Sequence, residues 1–194
     1  MIINSEFQVA APVDTVWDYM LDVPNLAPCL PGAELVGDDG NGTYDGKVVA
    51  RLGPVKLNFS GKARITSADE ASHRLVLDAS GSEDTGKGTA AMTITATLVP
   101  GARGTTVKVD QDLQISGAAA QFGRGMIADV TSVLMKSFAD CLQYNIDNQG
   151  RGGGTAVAVR AAKPASGLAI GVQATLMALK RVFARFFLPY DRNR

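Results

Sequence analysis

From Glu34 to Ser116 the chain alternates apolar and polar residues with a period of two, and after Ser116 the period changes to that of a helix. Six strands are predicted in the alternating part, over roughly 33–38, 43–52, 55–67, 73–80, 87–99 and 105–116. GDDGNG, Gly53-Pro54, ADEAS, GSEDTGKG and PGARG punctuate them. The clearest is 55–65, where Val55, Leu57, Phe59, Gly61, Ala63 and Ile65 face one way and Lys56, Asn58, Ser60, Lys62 and Arg64 the other. That is a strand with one buried and one wet face. Ile3 to Val9 alternate in the same manner and predict a first strand. Val13, Val16, Trp17, Met20 and Leu21 then line one face of a short helix opened by Pro12. NLAPCLPGAE is too broken by proline and glycine for a long helix and predicts a turn or lid-like loop. From Ala118 to Asp147, Ile127, Val130, Leu134, Phe138, Cys141 and Leu142 share a helical face, with Asp129, Lys136, Asp140 and Gln143 on the wet side. The fold class is therefore α+β: a curved antiparallel seven-stranded sheet gripping one long C-terminal helix.

Composition alters this picture in one place. Residues 1–150 hold 11 Lys and Arg against 18 Asp and Glu, whereas residues 151–194 hold 8 against 1. An acidic body thus carries a basic tail. The domain is expected over 1–148, a flexible Gly/Ala-rich linker over 149–166, and a cationic amphipathic helix over 167–188. On that helix Leu168, Val172, Leu176, Leu179, Phe183, Phe186 and Phe187 form an apolar face, with Lys180, Arg181 and Arg185 around the other side. Such a helix suits the interface of a membrane, and its cations oppose spanning. Docking on a protein groove is the alternative.

Candidate chemistry is sparse. His73, the one histidine, sits in a polar turn where solvation is expected, and no metal-ligand set, P-loop, dinucleotide fingerprint or nucleophile elbow is visible. Asp110, Asp112, Asp129, Asp140 and Glu83 fall on polar faces or in loops. No catalytic residue, metal site or covalent cofactor is expected, nor any nucleic-acid partner. Cys29 and Cys141 form no CxxC pair, and the start MIINSEFQV lacks a secretory pattern. The expectation is a cytoplasmic body with reduced thiols, peripheral on the inner face of the cell membrane.

The predicted inner face is rich in small residues, which leave either close backbone contact or a void. An apolar pocket is therefore expected, lined by Tyr44, Val48, Leu57, Phe59, Leu77, Met92, Ile94, Gln111, Leu113, Phe122, Met126 and Val130. Gln111 and Tyr44 would supply its polar groups. A packed core in which Gln111 bonds neighbouring backbone is the alternative.

The layout resembles the START-like, helix-grip superfamily (SRPBCC) of hydrophobic-ligand binders. VWDYMLD…APCLPGAE, LGPVKLNFSGKARI and SGAAAQFGRGMIADVTSVLMKSFADCL are similar to the family of the carbon monoxide dehydrogenase G subunit. That resemblance implies an accessory protein for a molybdenum hydroxylase such as carbon monoxide dehydrogenase. Joined to the pocket and tail, it implies a membrane-tethered carrier of a hydrophobic ligand such as a quinone, linking that enzyme to membrane electron transport. An assembly, maturation or anchoring factor without a ligand is the alternative, and a cyclase- or hydrolase-type enzyme a further one.

Overall fold

The computed structural model describes residues 1–52, 55–86 and 88–149. The expected linker beyond Gln149 and the tail helix lie outside these residues. The seven strands are β1 (Ile2–Val9), β2 (Ala33–Asp38), β3 (Thr43–Leu52), β4 (Val55–Asp69), β5 (Arg74–Glu83), β6 (Thr89–Gly101) and β7 (Gly104–Ile115). They form one curved antiparallel sheet in the order β1-β7-β6-β5-β4-β3-β2, so the first strand closes the chain's last hairpin. The predicted ends hold to within a few residues, because the turn residues that set them are local signals.

Between β1 and β2 run α1 (Val13–Leu21), a single turn α2 (Val23–Leu26) and a 3-10 turn, Ala27–Cys29. Of the expected turn or lid-like loop, the turn is what forms: Asp22 caps α2, accepting from the Asn25 amide at 3.4 Å and from its side chain at 2.6 Å. The long helix starts later than its apolar spacing predicts. Gly117–Phe122 form a 3-10 turn and α3 runs Gly123–Gln149. Gly123 takes φ +73°, a backbone state that ends one helical segment before the next begins.

The main core gathers around the second half of α3. Phe138, Cys141, Leu142 and Ile146 pack with Val16, Trp17 and Met20 of α1 and with Val107, Val109, Ala96, Leu98 and Leu75 of the sheet. Phe7 meets Phe138 edge-on, ring centroids 5.8 Å apart. Gln143, on the side expected to be wet, accepts from the Ala10 amide at 2.6 Å and so ties α3 to the end of β1. Tyr19 joins the core although its spacing gives no sign of it. Its hydroxyl donates to the Asn25 carbonyl (3.0 Å) and accepts from Asn145 Nδ2 (3.0 Å), and burial raises its pKa. His73 is half-buried rather than solvated: it packs edge-on to Trp17, with Nε2 3.2 Å from Asp14.

The expectation of reduced thiols is overturned. Cys29 and Cys141 form a disulfide across 112 residues of sequence, pinning the turn before β2 to α3. The pairing escapes the sequence because only the tertiary fold brings the two positions together. Both residues are buried, which shields the bond from thiol exchange.

Leu142 is 0% exposed, so Leu142→Ala should cost about 3 kcal/mol in chemical denaturation, by lost burial and a residual cavity. Reducing the disulfide should lower stability by roughly 2–4 kcal/mol, since it closes a long loop in the unfolded chain. A denatured, unreduced sample should show no free thiol with a thiol reagent.

Candidate functional site

Register places the predicted lining residues of the strands on one face, while Phe122 ends the 3-10 turn and Met126 and Val130 stand on α3. Across that face run successive rows. The first is Ile3, Gln111, Ile94, Leu77 and Ile65; the second is Leu113, Met92, Ala79, Ala63 and Tyr44. The third is Ile115, Ala90, Gly81, Gly61 and Gly46, and the last sets Glu83 beside Phe59 and Val48. At Gly61 a Cβ would collide with the Ser80 carbonyl and Gly81 Cα, so β4 and β5 approach in a way only glycine permits. The middle of this inner face is therefore floored by alanine and glycine.

A second, smaller cluster lies beyond that floor. Leu57 and Val130 are its buried members, with Ala50, Val55, Phe59, Ile115, Phe122, Val133 and Leu134 packed round them. It joins the first half of α3 to the far ends of β3, β4 and β7. Between the two clusters Tyr44, Leu77, Met92, Ile94 and Leu113 remain only half-buried, although all face inward. Val48 and Met126 are 45% and 40% exposed and stand at the rim. The middle of the inner face thus carries small and half-buried residues between two packed ends. Partial burial raises the Tyr44 pKa, with the Asp38 and Asp22 carboxylates adding to it.

Three polar residues of this face are buried, and one of them, Thr105, donates its hydroxyl to the Ala11 carbonyl at 2.8 Å. Gln111 is 6% exposed, and its Nε2 has no hydrogen-bond partner among the described residues. Glu83 corrects the sequence reading: it is 7% exposed and not solvated. The Thr85 amide donates to its carboxylate at 2.9 Å, and the Thr85 hydroxyl donates to the same oxygen. Its inward position continues Leu75, Leu77, Ala79 and Gly81, a signal that the turn-like sequence GSEDTGKG conceals.

The outer face of the sheet holds concavities that no apolar pattern predicts. One of about 640 Å³ is lined by Ser60, Lys62, Ser80, Ser82, Thr89, Gln114 and Ser116 among others. Its neighbour, about 440 Å³, includes Arg64, Asp78, Thr93 and Asp112. Both are open, and their linings mix polar side chains with alanine and glycine. Lys62 is held by Asp45 at 2.9 Å, which raises its pKa, and Asp78 accepts from Thr93 at 2.7 Å. Among the described residues no group of His, Cys, Asp and Glu is arranged to hold a metal, and no helix is long and apolar enough to cross a membrane.

The family model for the G subunit of carbon monoxide dehydrogenase (CoxG) matches residues 5–147, nearly the whole described chain. The chain belongs to the CoxG family. No curated protein matches it significantly. Among solved structures, it is similar to a conserved protein from Geobacillus kaustophilus, at TM-score 0.69 and 19% identity, covering 77% of this chain and 97% of that one. It is also similar to the Zhui aromatase/cyclase from Streptomyces sp. R1128 (TM-score 0.56, 15% identity, 80% and 99% covered). A third is Ara h 8.0201 (TM-score 0.51, 15% identity, 76% and 98% covered). At such identities these neighbours establish the helix-grip fold of this CoxG chain and nothing of its chemistry.

An open trough over this floor would differ from a filled core in how it takes added bulk. Ala79→Leu should change the stability of the unliganded protein by less than about 1 kcal/mol, whereas overpacking a filled core costs roughly 1–3 kcal/mol. Chemical denaturation of the variant decides between the two.

Proposed function

We propose that this member of the CoxG family is an accessory protein that carries a hydrophobic ligand in the inner trough and serves carbon monoxide dehydrogenase or a related molybdenum hydroxylase. The observation that carries the reading is the floor of alanine and glycine bounded by two packed clusters, with inward apolar side chains left half-covered. Apolar concavity with very few polar groups is the usual form of a small-molecule site. Family membership supplies the partner enzyme. A quinone is the ligand class that joins these points: it is flat and apolar, resides in lipid, and takes up two electrons and two protons from an oxidising enzyme. The basic segment after residue 150 gives the acidic body a means of reaching anionic lipid.

A second reading, a docking or assembly factor that needs no ligand, is favoured by the open concavities on the outer face of the sheet. Likeness to an aromatase/cyclase is a likeness of fold, so it brings no reaction to this chain.

Mass spectrometry of an organic extract of the purified full chain should reveal a quinone at near-stoichiometric amount. Titration of delipidated protein with 2,3-dimethyl-1,4-naphthoquinone should show saturable binding, weakened at least tenfold in Ala79→Leu. No binding would leave the docking reading. In a parallel assay the full chain should pellet with anionic liposomes and a chain ending at Ser166 should not; equal pelleting would exclude the tail as the anchor.

A further inference from the structure

Gln111 is the one described residue of the inner face whose buried side-chain donor the fold leaves unserved. It sits on β7 between Ile3 of β1 and Ile94 of β6, with Leu77 one strand further along the same row. Strand backbone is already paired on both sides, so the ladders offer its side chain no carbonyl. The Nε2 atom is sealed from water and makes no hydrogen bond among the described residues. An amide N–H₂ buried without a partner destabilises the protein unless something else accepts from it. A leucine or methionine would fill the same apolar space without that cost. The orphaned donor is therefore a feature the unliganded fold does not use.

Its position says what would use it. Gln111 borders the half-buried stretch of Ile94, Leu77, Leu113 and Met92, at the end of the trough nearer the main core. A ligand lying on the alanine and glycine floor reaches this amide with its leading end once those flexible side chains part. The buried Thr105 hydroxyl already serves the Ala11 carbonyl, and Glu83 lies about 20 Å along β5 from Leu77, which is itself two strands from Gln111. Glu83 and Gln111 are too far apart to act on one small polar group.

We propose that Gln111 is the anchor for the polar end of the ligand, donating from Nε2 to a carbonyl oxygen. The site thereby selects flat apolar molecules bearing a carbonyl over the corresponding hydrocarbons and alcohols. This rests on the trough being the ligand site and adds the chemistry and direction of entry: the carbonyl end goes in first, toward β1 and β7.

The test compares three probes on one carbon skeleton: 2,3-dimethyl-1,4-naphthoquinone, 2,3-dimethylnaphthalene and 2,3-dimethylnaphthalen-1-ol. Each is titrated into the delipidated full chain and into Gln111→Leu and Gln111→Met. The ratio of quinone to hydrocarbon affinity should fall about tenfold in both variants, with hydrocarbon binding kept and thermal stability of the unliganded protein not lowered. An unchanged ratio overturns the assignment, as does a clear loss of stability in both variants, which would mean that the amide is already satisfied. Preference for the naphthol in the parent protein overturns the carbonyl specificity, because the amide would then present its oxygen. Failure of every probe to bind overturns the trough as the ligand site along with it.

Discussion

One helix has to serve seven strands, and it is not wide enough. Strands about 4.8 Å apart make a sheet roughly 29 Å across, while a helix with its side chains is about 10 Å wide. Curvature brings the sheet toward α3 but cannot close the difference everywhere. The fold resolves this by packing tightly where α1 adds a second covering element and loosely where it does not. Leu142, Phe138 and Ile146 meet α1 and the β5–β7 side of the sheet. Over β3 to β5 only the first half of α3 is available, and it reaches the far strand ends through Val130, Val133 and Leu134. The uncovered floor between is a geometric remainder of the architecture.

Side-chain choice deepens that remainder. A sheet meant to be sealed by one helix would place bulky residues where cover is thin. Here Gly46, Gly61, Gly81, Ala63, Ala79 and Ala90 occupy those positions, while the larger Leu57 and Phe59 stand toward the end that α3 reaches. Gly61 and Gly81 also let two strands approach where a side chain would prevent it. The same residues bend the sheet and hollow it.

Most of the fold is legible in the sequence because it rests on short-range signals. Alternation places every strand, and turn residues set the ends of the hairpins. The spacing of Ile127, Val130, Phe138 and Leu142 identifies the buried face of α3. Gln111 stands out for the same reason, as a polar residue at an apolar phase of its strand. What stays hidden depends on distant parts of the chain. Tyr19 is buried by its bonds to Asn25 and Asn145, and His73 by Trp17. The Cys29–Cys141 pair requires the whole sheet to form between its two members. Glu83 is masked by the hairpin-like residues after it, although its own parity points inward. The outer concavities depend on how all the strands curve together, so alternation along any single strand does not reveal them.

The disulfide has a mechanical side. Gln149, where α3 ends, lies two turns of helix beyond Cys141. A pull on the chain leaving α3 would ordinarily peel the helix from the sheet one packed residue at a time. Here the load arrives within two turns at a covalent cross-link and passes through Cys29 into β2, an edge of the sheet. The turns of α3 that carry Val130 and Leu134 lie on the far side of that link, where part of the load has already been diverted. Tension on the chain beyond α3 and the shape of the ligand site are thereby in part mechanically separated.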